Sequence, residues 1–245
     1  MRFSILVSFA VAASAFPWRN RAEKPVYWLL SGDSTTATKG GWGDGFLATT
    51  VASGSSGHNY GHSGATTASF RAGGDWANVV KDIKKYKDKY SVYVTIQFGH
   101  NDQKNTSGVT MDQFKANLKR FANEAKSAGA TPILVTSLTR RNFKDGKVVE
   151  NLANERAATI LVADTNSLRY IDLNLASKNY VNAIGKDESS KYNLASGDWT
   201  HLNEWGGVVF ARIVSDLLVE KYPEFKAVTK SNATLSALIK QGKPA

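Results

Sequence analysis

Two uninterrupted apolar runs constrain this chain more than any other feature. Val26-Tyr27-Trp28-Leu29-Leu30 leads into Gly32-Asp33-Ser34, and Val92-Tyr93-Val94-Thr95-Ile96-Gln97-Phe98 leads into Gly99-His100-Asn101-Asp102. Runs without apolar/polar alternation read as strands buried on both faces, which is the habit of parallel sheets. Helical periods lie between and beyond them. Trp76, Val79, Val80 and Ile83 share one helix face, and Phe114, Leu118, Phe121 and Ala125 share another, which Gly129 ends. Gly40-Gly41-Trp42-Gly43 reads as a turn into a helix near 45–51, while the Gly/Ser-rich 53–61 and 105–108 read as loops. Pro132 to Ser137 is the next expected strand. An excursion over 140–149, with Asp145-Gly146 at its tip, is expected near the site. A helix over 151–164 and a last short strand, Tyr170-Ile171-Asp172, follow. Asn203 then caps a terminal helix carrying Trp205, Val209, Ile213 and Leu217. This alternation predicts a three-layer α/β/α domain around a parallel sheet.

In open sheets of this kind, ligands bind beyond the carboxyl ends of the strands. Both apolar runs end there in polar clusters. Ser34 falls on a strand-to-helix turn, where free backbone N–H groups gather. A serine hydroxyl needs a base within hydrogen-bond reach before it is a useful nucleophile. The chain has four histidines, at 58, 62, 100 and 201. His58-x-x-x-His62 has metal-pair spacing but lies in a glycine-rich stretch without an acidic partner. His100 directly follows the second strand and is expected to bond locally and orient the turn. His201 lies on a polar loop before a helix, with Asp198 three residues earlier. That spacing lets the carboxylate hold one ring nitrogen while the other faces Ser34. Alone, Asp33-Ser34 also reads as a plain turn, and Asp198-Trp199-Thr200-His201 as a helix-entry loop.

Taken in order, four blocks resemble the SGNH (GDSL-like) hydrolase family: Gly32-Asp33-Ser34-Thr35, Gly64 in Gly61-His62-Ser63-Gly64-Ala65, Gly99-x-Asn101-Asp102, and Asp198-x-x-His201. The first has threonine where leucine is commoner. The resemblance spans roughly residues 26 to 220, the size of one domain. Gly-Asp-Ser-Thr, Gly41-Trp42-Gly43 and Phe98 to Asp102 are most similar to rhamnogalacturonan acetylesterases. The resemblance implies a flavodoxin-like fold and a catalytic Ser34, Asp198 and His201. It implies oxyanion donors at the Ser34 N–H, the Gly64 N–H and the Asn101 amide. It also implies acetyl-ester hydrolysis on an acetylated polysaccharide, with no metal or organic cofactor. Asp33 and Asp102 are expected to brace the turns. Trp199, Trp42, Trp76 and Tyr60 are aromatic candidates for a sugar cleft, with Trp199 and Trp42 nearest the motifs. Two rivals remain: a broad lipase-type acylhydrolase of the same family, disfavoured by the absence of a long apolar lid, and a non-catalytic wall-binding protein with a relic site.

The 245 residues, 42% hydrophobic, suit one domain over 26–245 with a substantial core. Arg2, the apolar Ile5 to Ala13 and the small Ala13-Ser14-Ala15 read as a secretory signal over 1–15, with a mobile leader over 16–25. Pro17, Arg19 and Arg21 follow too soon for a membrane span. Secretion and a monomer are therefore expected. There is no cysteine. That excludes disulfides, thiol nucleophiles and thiolate metal sites, and it departs from rhamnogalacturonan acetylesterases, which can carry disulfides. The formal charge of +10 favours an anionic partner. Outside a cell this points to acidic polysaccharide rather than nucleic acid. Asn105-Thr106-Ser107 and Asn232-Ala233-Thr234 are glycosylation sequons, usable in a eukaryotic secretory pathway.

Overall fold

A computed structural model describes residues 24–245. The expected signal over 1–15 and all but the end of the leader lie outside the described residues. Lys24 and Pro25, expected to close the mobile leader, are tied down. The Lys24 Nζ donates to the Lys87 and Asp88 carbonyls, and the Pro25 carbonyl accepts from the Ser91 N–H at 2.9 Å.

The first apolar run is β1 (Val26–Gly32), followed by α1 (Gly43–Thr49), β2 (Ser56–Asn59), α2 (Thr67–Ala72) and α3 (Asp75–Tyr86). The second run is β3 (Ser91–Gln97), and then come α4 (Met111–Ala128) and β4 (Thr131–Val135). A small hairpin, β5 (Phe143–Lys144) and β6 (Lys147–Val148), precedes α5 (Ala153–Thr165), β7 (Arg169–Ile171), α6 (Leu173–Ser190), α7 (Glu204–Lys221) and α8 (Ala233–Lys240). The five-stranded sheet runs β2-β1-β3-β4-β7, and every pairing is parallel. This is the flavodoxin-like order. The chain leaves β1 toward β2 on one side and later enters β3 on the other. The switch point lies between the carboxyl ends of β1 and β3.

The uninterrupted apolar strands are explained by two cores, one on each face of the sheet. Trp28, Leu30, Ile133 and Val135 pack with Val209, Phe210, Val214 and Leu218 of α7. The alternate residues Leu29, Val94, Ile96 and Leu134 pack with Val79, Ile83, Phe114, Leu118 and Phe121. Burying each such side chain stabilises the fold by about 1.5–3 kcal/mol. Gly129, at φ 109°, ends α4 in the left-handed conformation that glycine tolerates. Asn203 caps α7 by accepting from the Gly206 N–H at 2.8 Å.

Several sequence expectations need correction. The stretch 53–61 is not all loop, because Ser56–Asn59 forms edge strand β2 in register with Tyr27 to Leu30. Residues 105–107 form a 3₁₀ turn. Helices α2 and α6 carry no clear apolar stripe and were not expected. α7 is not terminal, because a 3₁₀ segment (Pro223–Ala227) and α8 follow it.

Candidate active site

Ser34 lies two residues beyond the end of β1 and is 8% exposed. Its turn is braced from within. The Asp33 Oδ1 accepts from the Thr35 N–H at 2.9 Å and the Thr35 hydroxyl at 2.7 Å, while the Asp33 carbonyl accepts from the Thr36 and Ala37 N–H groups. Gln97, the last residue of β3, fastens the neighbouring strand to this turn. Its Nε2 donates to the hydroxyls of Thr35 and Thr36, and its Oε1 accepts from the Trp42 Nε1 at 2.9 Å. The Ser34 Oγ is 2.8 Å from the His201 Nε2, and the His201 Nδ1 is 2.9 Å from the Asp198 Oδ2. The Asp198 Oδ1 accepts from the Thr200 N–H at 3.0 Å and the His201 N–H at 2.9 Å. Burial pushes the Asp198 carboxyl up, but the hydrogen bonds from the His201 backbone and ring and from Thr200 outweigh it, leaving it below its ordinary value. The carboxylate is therefore ionised wherever the imidazole needs orienting.

The two other blocks are tied to each other. Gly64 has φ 82° and is exposed, and neither its N–H nor that of Ser34 is engaged within the described residues. Asn101 is 6% exposed. Its Nδ2 donates to the Ala65 carbonyl at 3.0 Å, joining the second block to the glycine block. Asp102 makes a second tie, its Oδ1 accepting from the Thr67 N–H at 2.8 Å and the Thr67 hydroxyl at 2.6 Å. Gly99 is obligatory at φ 137°, since a Cβ there would stand 2.4 Å from the Ser137 Oγ. Serine, histidine and aspartate are thus joined in one hydrogen-bonded line just beyond the end of β1, at the switch point. This arrangement can activate a hydroxyl and receive a developing negative charge.

A family model described as GDSL-like Lipase/Acylhydrolase matches residues 30–207. The chain belongs to that family. It is a carboxylic ester hydrolase of the SGNH type. Rhamnogalacturonan acetylesterase RhgT of Bacillus subtilis (strain 168) is 31% identical over 218 residues, 81% of this chain and 91% of RhgT. Among solved structures, YxiM of Bacillus subtilis matches with a TM-score of 0.69 and 24% identity, over 81% of this chain; the chain spans 57% of that one. The acetylxylan esterase Axe2 of Geobacillus stearothermophilus, in a catalytic mutant, matches with a TM-score of 0.58 and 17% identity, over 81% of this chain and 94% of Axe2. The two structural matches bear on the fold.

In this esterase two arginines, unremarked in the sequence, hold the histidine loop. Arg140 donates to the Thr200 hydroxyl. Arg141, 1% exposed, reaches the Asn193 Oδ1 at 2.6 Å and the His201 carbonyl at 2.5 Å, and its N–H donates to the Trp199 carbonyl at 2.7 Å. Burial pulls Arg141 down to about 10 against the pull of Asp198. The excursion over 140–149 therefore lies beside the site, as expected. Its tip residues Asp145 and Gly146 both have positive φ, as a tight hairpin turn requires.

The aromatic expectations divide. Trp42 cannot meet a substrate. It is 0% exposed, packed edge-on against Phe46 and bonded to Gln97. Trp76 is 2% exposed and donates to the Glu124 Oε2, and the Tyr60 hydroxyl donates to Asp82. Of these four, Trp199 is the most exposed, at 36%, with the Lys186 Nζ over its ring at 5.9 Å from the centroid. His100 is 2% exposed, with Nδ1 3.5 Å from the Asp33 Oδ2. Burial pushes Asp33 up, but the His100 charge and the Thr35 hydrogen bonds outweigh it and leave that carboxyl low. His58 packs at a tilt against Tyr60, with ring centroids 4.4 Å apart, and His62 pairs with Asp75 at 2.8 Å, so the two do not converge on one point. Among the described residues no group of three or more His, Cys, Asp or Glu side chains could hold a metal, and no helix is long and apolar enough to cross a membrane.

Proposed function

We propose that this esterase is a secreted serine acetylesterase that deacetylates an acidic cell-wall polysaccharide, foremost acetylated rhamnogalacturonan. The carrying observation is the continuous hydrogen-bonded line Asp198–His201–Ser34. In this reading the Ser34 Oγ attacks the acetyl carbonyl carbon as the His201 Nε2 takes its proton. The tetrahedral oxyanion is received by the N–H groups of Ser34 and Gly64 and by the Asn101 Nδ2. The imidazolium returns the proton to the leaving sugar oxygen, and the C–O bond to the sugar breaks. Water then attacks the acetyl-enzyme by the same route, releasing acetate. The likeness to RhgT supports the pectic substrate, and the formal charge of +10 supports an acidic one. Trp199 offers a face for a sugar ring. The exposed sequon residues Asn105 and Asn232 suit a secreted, glycosylated protein acting as a monomer.

One observation favours a broader acylhydrolase as the second reading. A cavity of about 570 Å³ lies next to the histidine loop, lined by Leu194, Leu202, Val208 and Ala48 together with Lys39, Asp44 and Glu204, and in this second reading it takes a longer acyl chain. Acetate release from acetylated pectin fractions and acetylated xylan, beside a series of aryl esters from acetate to decanoate, separates the two. The acetylesterase reading expects acetate to be fastest, with release from the pectic fraction. Faster cleavage of octanoate than acetate would favour the second reading. Ser34→Ala should lower kcat on an aryl acetate by about 10⁴–10⁶ with the fold intact. Near-normal turnover by that variant would refute the mechanism.

A further inference from the structure

The Asn101 amide has a partner on each side. Its Nδ2 faces the Ala65 carbonyl at 3.0 Å, and its Oδ1 lies 2.7 Å from the Lys104 Nζ. These partners leave no freedom of assignment, because a carbonyl only accepts and an ammonium only donates. One N–H of the Asn101 amide is spent on Ala65, and the other is left for the crevice. The lysine is brought to this place by the backbone. The Gln103 N–H donates to the Gly99 carbonyl and the Lys104 N–H to the Asn101 carbonyl, both at 3.1 Å, so the chain after β3 closes as a turn with residue 104 folded back over residue 101.

The choice of partner is informative. Among the described residues Lys104 pairs with no carboxylate. An exposed lysine held in one geometry loses rotamer freedom, and here that loss is set against a bond to a neutral amide oxygen. A charge-assisted hydrogen bond at Oδ1 is stronger than a neutral one. It draws electron density toward the oxygen and makes the remaining N–H of the same amide a better donor. It also opposes an amide flip, which would turn Oδ1 toward the Ala65 carbonyl.

We infer that Lys104 is a positioning residue of the oxyanion site, fixing and polarising the Asn101 amide that receives the negative charge. The inference rests on the role given to Asn101 above, and the experiment separates the two. Lys104 lies on an exposed turn, so its variants should fold. The measurement is kcat and KM on an aryl acetate for wild type, Lys104→Met, Lys104→Arg, Asn101→Ala and the Lys104→Met/Asn101→Ala double variant, with thermal melts to confirm folding. Asn101→Ala alone reports on the oxyanion role and should lower kcat by about 10²–10³. Lys104→Met should lower kcat by roughly tenfold with KM within about twofold, since the lost interaction belongs to the transition state. Lys104→Arg, which keeps the charge and a donor, should recover most of it. In the Asn101→Ala background the lysine should matter less than about twofold, because its lever is gone. A second readout is inhibition by a boronic acid that forms a tetrahedral adduct on Ser34. Its Ki should rise roughly tenfold in Lys104→Met and stay level between the two Asn101→Ala forms. Wild-type kcat in Lys104→Met would overturn the inference. So would a tenfold loss that persists without Asn101, which would give Lys104 a separate role.

Discussion

Asp198→Asn should silence the enzyme without loosening it. The Asp198 Oδ1 accepts two backbone N–H groups, from Thr200 at 3.0 Å and His201 at 2.9 Å, and neither donor can become an acceptor. An asparagine must therefore keep its oxygen there. Its Nδ2 then falls where Oδ2 stood, 2.9 Å from the His201 Nδ1. Two donors would meet unless the imidazole moves its proton to Nε2. Once it does, Nε2 points a hydrogen at the Ser34 Oγ, 2.8 Å away, and can no longer take the serine proton. A tautomer error of this kind costs about 10⁴ in kcat, or roughly 5 kcal/mol of barrier. KM should hold, since no contact proposed for the substrate changes. Asp198→Ala should be equally inactive but less stable. It forfeits both backbone bonds, about 1 kcal/mol each, and for a chain of this size each kcal/mol lowers Tm by about 2–4 °C. The assays are steady-state hydrolysis of an aryl acetate and thermal melts of both variants. Asp198→Asn keeping a tenth or more of wild-type kcat would refute the tautomer argument. So would an Asp198→Asn Tm that falls as far as that of Asp198→Ala.

Asp198, held below its ordinary value by the hydrogen bonds from His201 and Thr200, should stay charged across the working range, so activity should not fall where an ordinary aspartate protonates; a loss of activity at that pH would contradict this. Hydrogen bonds from Arg71, with burial opposing and Trp76 and Arg120 adding, hold Glu124 at about 2 rather than 4.5. A depressed carboxyl stabilises the fold above its unfolded value and loses that contribution as pH falls through the folded one. Glu124→Gln should therefore lower Tm at neutral pH and flatten the Tm profile between about pH 4.5 and 2, which melts across that window would test. Trp42→Phe strands the Gln97 Oε1 and should cost about 1–3 kcal/mol of stability with little change in KM. Trp199→Ala should do the reverse, raising KM on polymer while leaving Tm near wild type; polymer kinetics beside melts would show the two tryptophans exchanged if the burial argument is wrong.

What could be read from the sequence follows from what side chains record. Strands buried on both faces must be apolar throughout, so β1, β3 and β4 announced themselves. The edge strand β2 did not. Ser56-Gly57-His58-Asn59 is held by backbone pairing to β1, and Gly57 is required because a Cβ there would lie 2.5 Å from the Trp28 carbonyl. Nothing in such a sequence separates a strand from a loop. Helix α6 was hidden for a related reason: its apolar residues follow no single stripe, and Gly185, with φ 82°, breaks it into two directions. The triad members were legible only together: each block alone reads as a turn or a helix entry, and it is their order along the chain, two of them at the ends of apolar runs, that marked them. Trp42 misled because an aromatic beside a nucleophile block reads as a platform. Its indole N–H instead satisfies Gln97, a buried polar side chain at the end of an otherwise apolar run. Gln97 itself was a signal that could have been read, since a buried amide demands partners. Lys104 and Arg141 offered none, because their roles depend on turns that only the folded chain displays.

The register of the sheet explains why blocks so distant in sequence meet. Gly32 pairs with Gln97 across β1 and β3, so the residues just beyond each strand end become neighbours: Ser34 on one side, Asn101 on the other. Two of the three parts are thus placed by strand pairing alone. The third depends on helix packing. His201 precedes α7, and its loop is fastened to the nucleophile segment by the Leu202 N–H donating to the Gly40 carbonyl at 2.8 Å. α7 in turn sits against α1 so closely that a Cβ on Gly45 would stand 2.5 Å from the Gly207 carbonyl. Glycine at 45 is therefore a condition for seating α7 at this depth. The seating of α7 fixes the height at which its preceding loop meets the crevice, so the 2.8 Å between the His201 Nε2 and the Ser34 Oγ depends on how closely two helices pack as well as on the motif residues.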